Sequence, residues 1–170
     1  MNAKDFLLDR LRALKKNSFY TKKAGSFSDV PPRTVQSWTE KGIVTPDIAD
    51  TTGTGSKRLY SVRNCIEIGI IKSLTENRLS LTIAAKIIEY LKSLEKGGAA
   101  KPKIDDVLAA RAGFLVVKID STDVVSYTIH LSQFISHQTF DISSRPRWNK
   151  VLILDIKQIA ESVIKKMETT

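Results

Sequence analysis

Residues 28–61 run Ser28-Asp-Val-Pro-Pro-Arg-Thr-Val-Gln-Ser-Trp-Thr-Glu-Lys-Gly-Ile-Val44, then a polar loop, then Gly55-Ser-Lys-Arg-Leu-Tyr-Ser61. The pattern predicts a helix over 32–41. Proline suits its first turn, where a missing N–H costs no hydrogen bond. Gly42 suits the left-handed residue that ends a helix. Val35 and Trp38, three apart, face inward, so Arg33, Gln36, Ser37 and Lys41 face outward. Residues 45–56 hold Pro46, several threonines and two glycines, the composition of a turn-rich loop. Lys57-Arg-Leu-Tyr60 returns as a short strand, with Leu59 or Tyr60 turned inward and Lys57 and Arg58 available to solvent or a polyanion. A surface helix beside a basic hairpin can touch a DNA groove and its flanking phosphates together.

The charge distribution supports that reading. The 170-residue chain carries a formal charge of +9. Residues 1–103 hold 19 Lys/Arg against 10 Asp/Glu, and residues 104–170 hold 8 of each, so the whole excess lies in the first part. A basic module joined to a neutral one points to a polyanion reader with a second element of another purpose. Apolar residues make up 42 %, which excludes wholesale disorder. Cys65 is the only cysteine, so no intrachain disulfide can form and a reducing compartment is expected. No apolar run is long enough to span a bilayer, and the first residues lack the apolar stretch of a secretion signal. The expectation is a cytoplasmic, nucleoid-associated protein with no membrane contact.

Outward from the central stretch, residues 4–16 predict an amphipathic helix, with Leu7, Leu11 and Leu14 on one face and Lys4, Arg10, Arg12 and Lys15 on the other. It is expected to pack on the next domain. A short helix is expected over 21–27 despite Gly25. Ser61 is the expected N-cap of a helix over about 62–76, and Ser80 that of a helix over 81–95. The latter is apolar on most sides, which calls for more than one partner surface. Gly97 to Lys103 reads as a linker. Beyond it come a short helix capped by Asp105, a strand over 114–119, an alternating strand from Val125 to Leu131, a loop over 139–149, and a buried strand over 151–154. A last helix follows, with Asp155 and Gln158 as a capping box.

Residues 19–95 resemble the winged helix-turn-helix of MerR-family transcription regulators. The family pattern, a valine, Ser-Pro-Arg-Thr-Leu-Arg, an aromatic pair and Glu-x-x-Gly-Leu, stands here as Val30-Pro-Pro-Arg-Thr-Val-Gln-Ser-Trp-Thr-Glu-Lys-Gly-Ile43. The wing, Gly-Tyr-Arg-Leu-Tyr-Ser, stands as Ser56-Lys-Arg-Leu-Tyr-Ser61, and a later Gly-Phe-Ser-Leu as Arg78-Leu-Ser-Leu81. Three departures stand out. Pro31 replaces a capping serine. Gln36 and Ser37 replace an arginine and an aromatic that approach DNA. No long dimerisation helix follows residue 96.

The resemblance implies a MerR-like winged domain over 19–96; with the residue patterns around it, the expected chain is α+β, with an N-terminal helix (1–18), a linker (97–103) and a small α/β domain (104–170) for dimerisation or effector binding. The resemblance also implies a sequence-specific regulator of double-stranded DNA, acting as a homodimer and meeting RNA polymerase at a promoter. The recognition helix (32–41) would enter the major groove and the wing (53–60) would lie on the flanking backbone. The DNA-contacting set is then Arg33, Thr34, Gln36, Ser37 and Lys41 on the helix, with Ser56, Lys57, Arg58 and Tyr60 on the wing. The competing class is an architectural factor of phage excisionase or packaging type, using the same winged fold for strong bending at clustered sites.

Catalysis and metal chemistry find little footing. Cys65 sits at an apolar helix position, and His130 and His137 lack a cysteine or carboxylate cluster, so neither a metal nor another cofactor is expected. No catalytic spacing of Ser/His/Asp, Cys/His or paired carboxylates occurs, and the chain is not expected to be an enzyme. Gly53-Thr-Gly55 lacks the Gly-Lys-Ser/Thr of a phosphate loop. Arg145-Pro-Arg-Trp148 is a basic aromatic cluster of the kind usually found in a loop whose Trp packs on a sheet.

Overall fold

The computed structural model describes residues 3–14, 16–49, 57–93, 114–120, 125–130 and 148–169. The expected linker, the helix capped by Asp105, the wing tip with Ser56, His137, and Arg145 and Arg147 lie outside the described residues. Six helices and two small antiparallel sheets are described, an α+β architecture. In chain order they are α1 (Ala3–Leu14), β1 (Phe19–Tyr20), α2 (Thr21–Phe27), α3 (Pro32–Glu40), β2 (Leu59–Tyr60), α4 (Val62–Glu76), α5 (Leu81–Ser93), β3 (Phe114–Asp120), β4 (Val125–His130), β5 (Trp148–Asp155) and α6 (Ile156–Glu168).

The turn between α2 and α3 is built by one short-range device. Val30 N–H bonds Gly25 O at 2.9 Å and Asp29 N–H bonds Ser26 O at 3.4 Å, the paired closing bonds of a Schellman motif. Asp29 takes the left-handed conformation, with φ of 53°. The chain doubles back so tightly that a Cβ on Gly25 would lie 2.5 Å from Val30 O. Gly25 therefore serves close approach and does not weaken the helix. The ends of α3 and α4 repeat the motif. Gly42 (φ 70°) closes α3 through Ile43 N–H to Trp38 O at 2.9 Å, and Arg78 (φ 64°) closes α4 through Leu79 N–H to Leu74 O at 3.1 Å. The expected stop at Gly42 is there. The same stop made with Asp29 and Arg78 was not foreseeable from residue type.

Helix starts follow the capping expectations. Ser61 Oγ accepts Asn64 N–H at 3.1 Å while Asn64 Oδ1 accepts Ser61 N–H at 3.1 Å, a reciprocal capping box. Ser80 Oγ accepts Ile83 N–H at 3.3 Å, and Asp155 Oδ1 accepts Gln158 N–H at 2.9 Å. By contrast, α3 starts at Pro31 with no side-chain cap.

Strand β1 was not expected. Phe19 pairs with Tyr60 and Tyr20 with Leu59, while Ala49 bridges Leu59 from the other side. The second sheet has the order β4-β3-β5, with Val116 opposite Thr128 and Ile153, and Val117 opposite Tyr127 and Leu152. The stretch 151–154 is not fully buried as expected. Leu154 is buried and Leu152 packs on the core, but Val151 and Ile153 are 46 % and 40 % exposed. In β5, which among the described residues pairs with β3 alone, side chains alternate between the core face and the open face. The strand also begins at Trp148, earlier than expected.

One core runs through the described residues. Helix α4 is its axis: ten of its fifteen residues are buried, too many for a helix with a solvent face. Against it lie α2, α5 and, across the chain, α6. Ile156, Ala160, Val163 and Ile164 of α6 share the apolar cluster with Ile66, Ile68, Ile70, Ile71 and Leu74, and Leu115, Val117 and Leu154 join from the sheet. Gly69 lets the two helices approach, since a Cβ there would meet Ile159 Cγ2 at 3.0 Å. Ion pairs frame the crossing. Lys166 pairs with Asp29 in the α2–α3 turn, and Arg10 of α1 donates from Nε and Nη2, one edge of its guanidinium, to both carboxylate oxygens of Glu168. Leu11 and Leu14 of α1 pack on the same core, as the amphipathic pattern predicts.

Candidate nucleic-acid interface

Helix α3 presents two faces. Val35, Trp38 and Thr39 are buried. Arg33, Gln36, Glu40 and Lys41 are exposed, and Thr34 and Ser37 half-exposed. The open face thus gathers all five helix residues of the expected set. On the returning strand Lys57 is exposed and Arg58 half-buried.

Tyr60 is a correction. Its ring is fully buried, and its hydroxyl lies 2.9 Å from Thr39 Oγ1. Thr39 already donates its own proton to Val35 O, so Tyr60 is the donor. Tyr60 therefore ties β2 to the back of α3 and has no surface to offer DNA. The alternation of the strand left Leu59 and Tyr60 equally eligible for the inside. The hydrogen bond to Thr39 accommodates the hydroxyl that a wholly apolar site would penalise.

A buried amide fixes the wing root. Asn64 is fully buried, and Oδ1 accepts Asp47 N–H at 2.8 Å as well as Ser61 N–H. Its Nδ2 donates to Thr45 O at 3.0 Å and to Glu67 Oε2 at 3.3 Å. One side chain thus holds both the chain leaving α3 and the chain entering α4. Glu67 extends the network: buried, it meets Lys92 of α5 at 3.2 Å and Arg63 at 3.4 Å. Burial raises its pKa above the usual carboxylate range, and the two cations oppose that rise.

Sequence reasoning missed two surface residues. Glu40 Oε1 accepts a hydrogen bond from Gln36 Nε2 at 2.9 Å and sits 3.7 Å from Arg58 NH1. The signal was present, because residues four apart on a helix are neighbours. Tyr20 is 53 % exposed, and Lys57 Nζ lies 5.3 Å from its ring centroid, so the aromatic and the wing lysine form one patch. A two-residue strand carries no periodicity that would have revealed it.

Burial pushes the Cys65 thiol up, so it is held as a neutral core group, and its carbonyl accepts Ser28 Oγ at 2.6 Å. Among the described residues no three His, Cys, Asp or Glu gather as a metal site would require, and no helix is long and apolar enough to cross a membrane.

A short helix, a tight turn and a second helix with an open polar face make a helix-turn-helix, and the basic pair Lys57-Arg58 leads into β2 beside it. Residues 21–91 match the family model described as MerR HTH family regulatory protein, and this segment is a MerR-type helix-turn-helix domain, the DNA-binding unit of a family of transcription regulators. No curated protein matches the chain.

Proposed function

We propose that this chain is a sequence-specific regulator of double-stranded DNA that seats α3 in the major groove and lays the Lys57–Arg58 strand on the adjoining backbone. The observation that carries this reading is the shared exposure of Arg33 and Gln36 on one face of α3 and of Lys41 at its C-cap, beside a wing root anchored by Asn64 and Tyr60. Rigid mounting matters because base contacts discriminate only when side chains are held in register with the groove. Thr34 and Ser37 flank the reading positions, and Ser56 immediately precedes Lys57 in the sequence. Two copies on paired half-sites, near a promoter where RNA polymerase binds, complete the reading.

The roles divide by chemistry. Lys57 and Arg58 meet phosphates, which set affinity and its salt dependence. Gln36 meets a base edge, where a good amide contact gives about 1–3 kcal/mol of discrimination. Arg58→Ala should weaken binding to all sequences and flatten the salt slope by about one unit. Gln36→Ala should relax one base position in each half-site and leave the slope alone. Binding-site selection with a salt titration on each variant checks both. The reversed pattern, with Arg58→Ala altering the preferred sequence, would mean that α3 and the wing are docked differently.

A further inference from the structure

The Gln36–Glu40–Arg58 cluster has a property that the DNA-binding reading does not use. A carboxylate can only accept hydrogen bonds, so Glu40 compels the Gln36 amide to turn Nε2 toward it and Oε1 away. An unheld glutamine amide on an open face would sample both orientations and offer a donor or an acceptor to the groove with similar ease. The same carboxylate oxygen faces Arg58, the residue just before β2, so helix and wing are joined through one atom. Asn64 and Tyr60 fix the wing root from beneath, and Glu40 closes the arrangement at the surface.

We propose that Glu40 is a positioning residue that sets the base preference of Gln36 and restrains the wing arginine, trading non-specific affinity for selectivity. This rests on the reading of α3 as the groove-facing helix. A held amide keeps Oε1 and its remaining N–H in a fixed order, the arrangement that pairs with the N6 and N7 edge of adenine. The carboxylate also places a negative charge near the phosphates. It thereby penalises complexes that gain nothing from the base contact, a repulsive element of the kind specificity requires.

The test is binding-site selection, followed by titration of the selected duplex and a scrambled duplex at several salt concentrations, on the intact chain and on Glu40→Ala, Glu40→Gln, Gln36→Ala and the Gln36→Ala/Glu40→Ala double variant. Glu40 is 53 % exposed, so thermal melts of the variants should coincide with that of the unaltered chain. Glu40→Ala should bind scrambled DNA more tightly and lose about fivefold or more in discrimination at the base position that Gln36→Ala relaxes. Glu40→Gln keeps an acceptor and should retain part of that discrimination. The double variant should discriminate no worse than Gln36→Ala alone, since both substitutions break one contact. A Glu40→Ala variant that changes affinity uniformly while keeping the base preference, or that relaxes a different position, overturns the proposal and leaves the regulator reading standing. An intact chain that selects no sequence overturns both.

Discussion

Helices α3 and α4 are neighbours in sequence and carry polar residues among apolar ones, yet those polar residues do opposite work. On α4, Asn64 and Glu67 are buried and satisfied by backbone groups or by Arg63 and Lys92. On α3, Arg33, Gln36, Glu40 and Lys41 stand exposed above a stripe of Val35 and Trp38. Burial decides the meaning. A buried polar group must be matched within the protein because leaving it unmatched costs several kcal/mol. An exposed one has water to satisfy it and can exchange that water for a ligand. Thus α4 holds the unit together, and the exposed side chains of α3 are open to a partner.

The contrast is open to breaking at four strengths. Leu74→Ala on α4 deletes a fully buried side chain and should cost about 2–5 kcal/mol. For a chain of this size, that corresponds to a fall in Tm of roughly 5–15 °C, and a fall of only a degree or two would show that α4 is not the axis of the core. Asn64→Ala leaves Asp47 N–H and Thr45 O without their partner and should cost about 1–3 kcal/mol in urea denaturation. If it instead altered base preference at undiminished stability, the division between the two helices would fail.

Glu67 gives a pH signature. Its pKa is raised in the fold by burial, against the pull of Lys92 and Arg63, so the native state holds that proton more tightly than the unfolded chain does. An acid raised in this way leaves stability intact below its unfolded value and erodes it as pH climbs through the window up to the folded value. Glu67→Gln removes the titration. The stability of this variant relative to the unaltered chain should therefore improve as pH rises above the ordinary glutamate value of about 4.3, followed as the difference in Tm. A difference that is flat in pH would show that Lys92 and Arg63 fully offset the burial. The smallest effect belongs to α3. Gln36→Ala should shift stability by no more than about 0.5 kcal/mol, because the side chain lies on the surface. A larger loss by thermal melt would make Gln36 part of the scaffold.

Much of the winged unit was legible because its signals are local. Pro32, Gly42, Ser61 and Ser80 announce helix ends by residue type. The ends at Asp29 and Arg78 were illegible for the same physical reason in reverse: a non-glycine residue in the left-handed region costs roughly a kcal/mol or more and is placed there by its surroundings. Strand β1 is two residues long and exists only because Phe19 and Tyr20 meet β2. The outward turn of Val151 and Ile153 depends on which strands flank β5. In the interface the exposed residues of α3 followed from helical periodicity, whereas the burial of Tyr60 depended on Thr39, a partner on another element. The contact of Glu40 with Gln36 is legible in their four-residue spacing, but its second partner, Arg58, lies on another element and is not.

The docking of α6 sets an order of events in the life of the chain. Asp29 finds Lys166 across 137 positions, and Arg10 finds Glu168 across 158. A ribosome that has just made α4 needs roughly 5–20 s more to reach Glu168. Through that interval the groove beside Gly69 has no helix to fill it, and the turn carrying Asp29 lacks its lysine. The helix-turn-helix is thus made well before the helix that completes its packing, so a nascent chain cannot cover Gly69 or pair Asp29 until α6 has been synthesised.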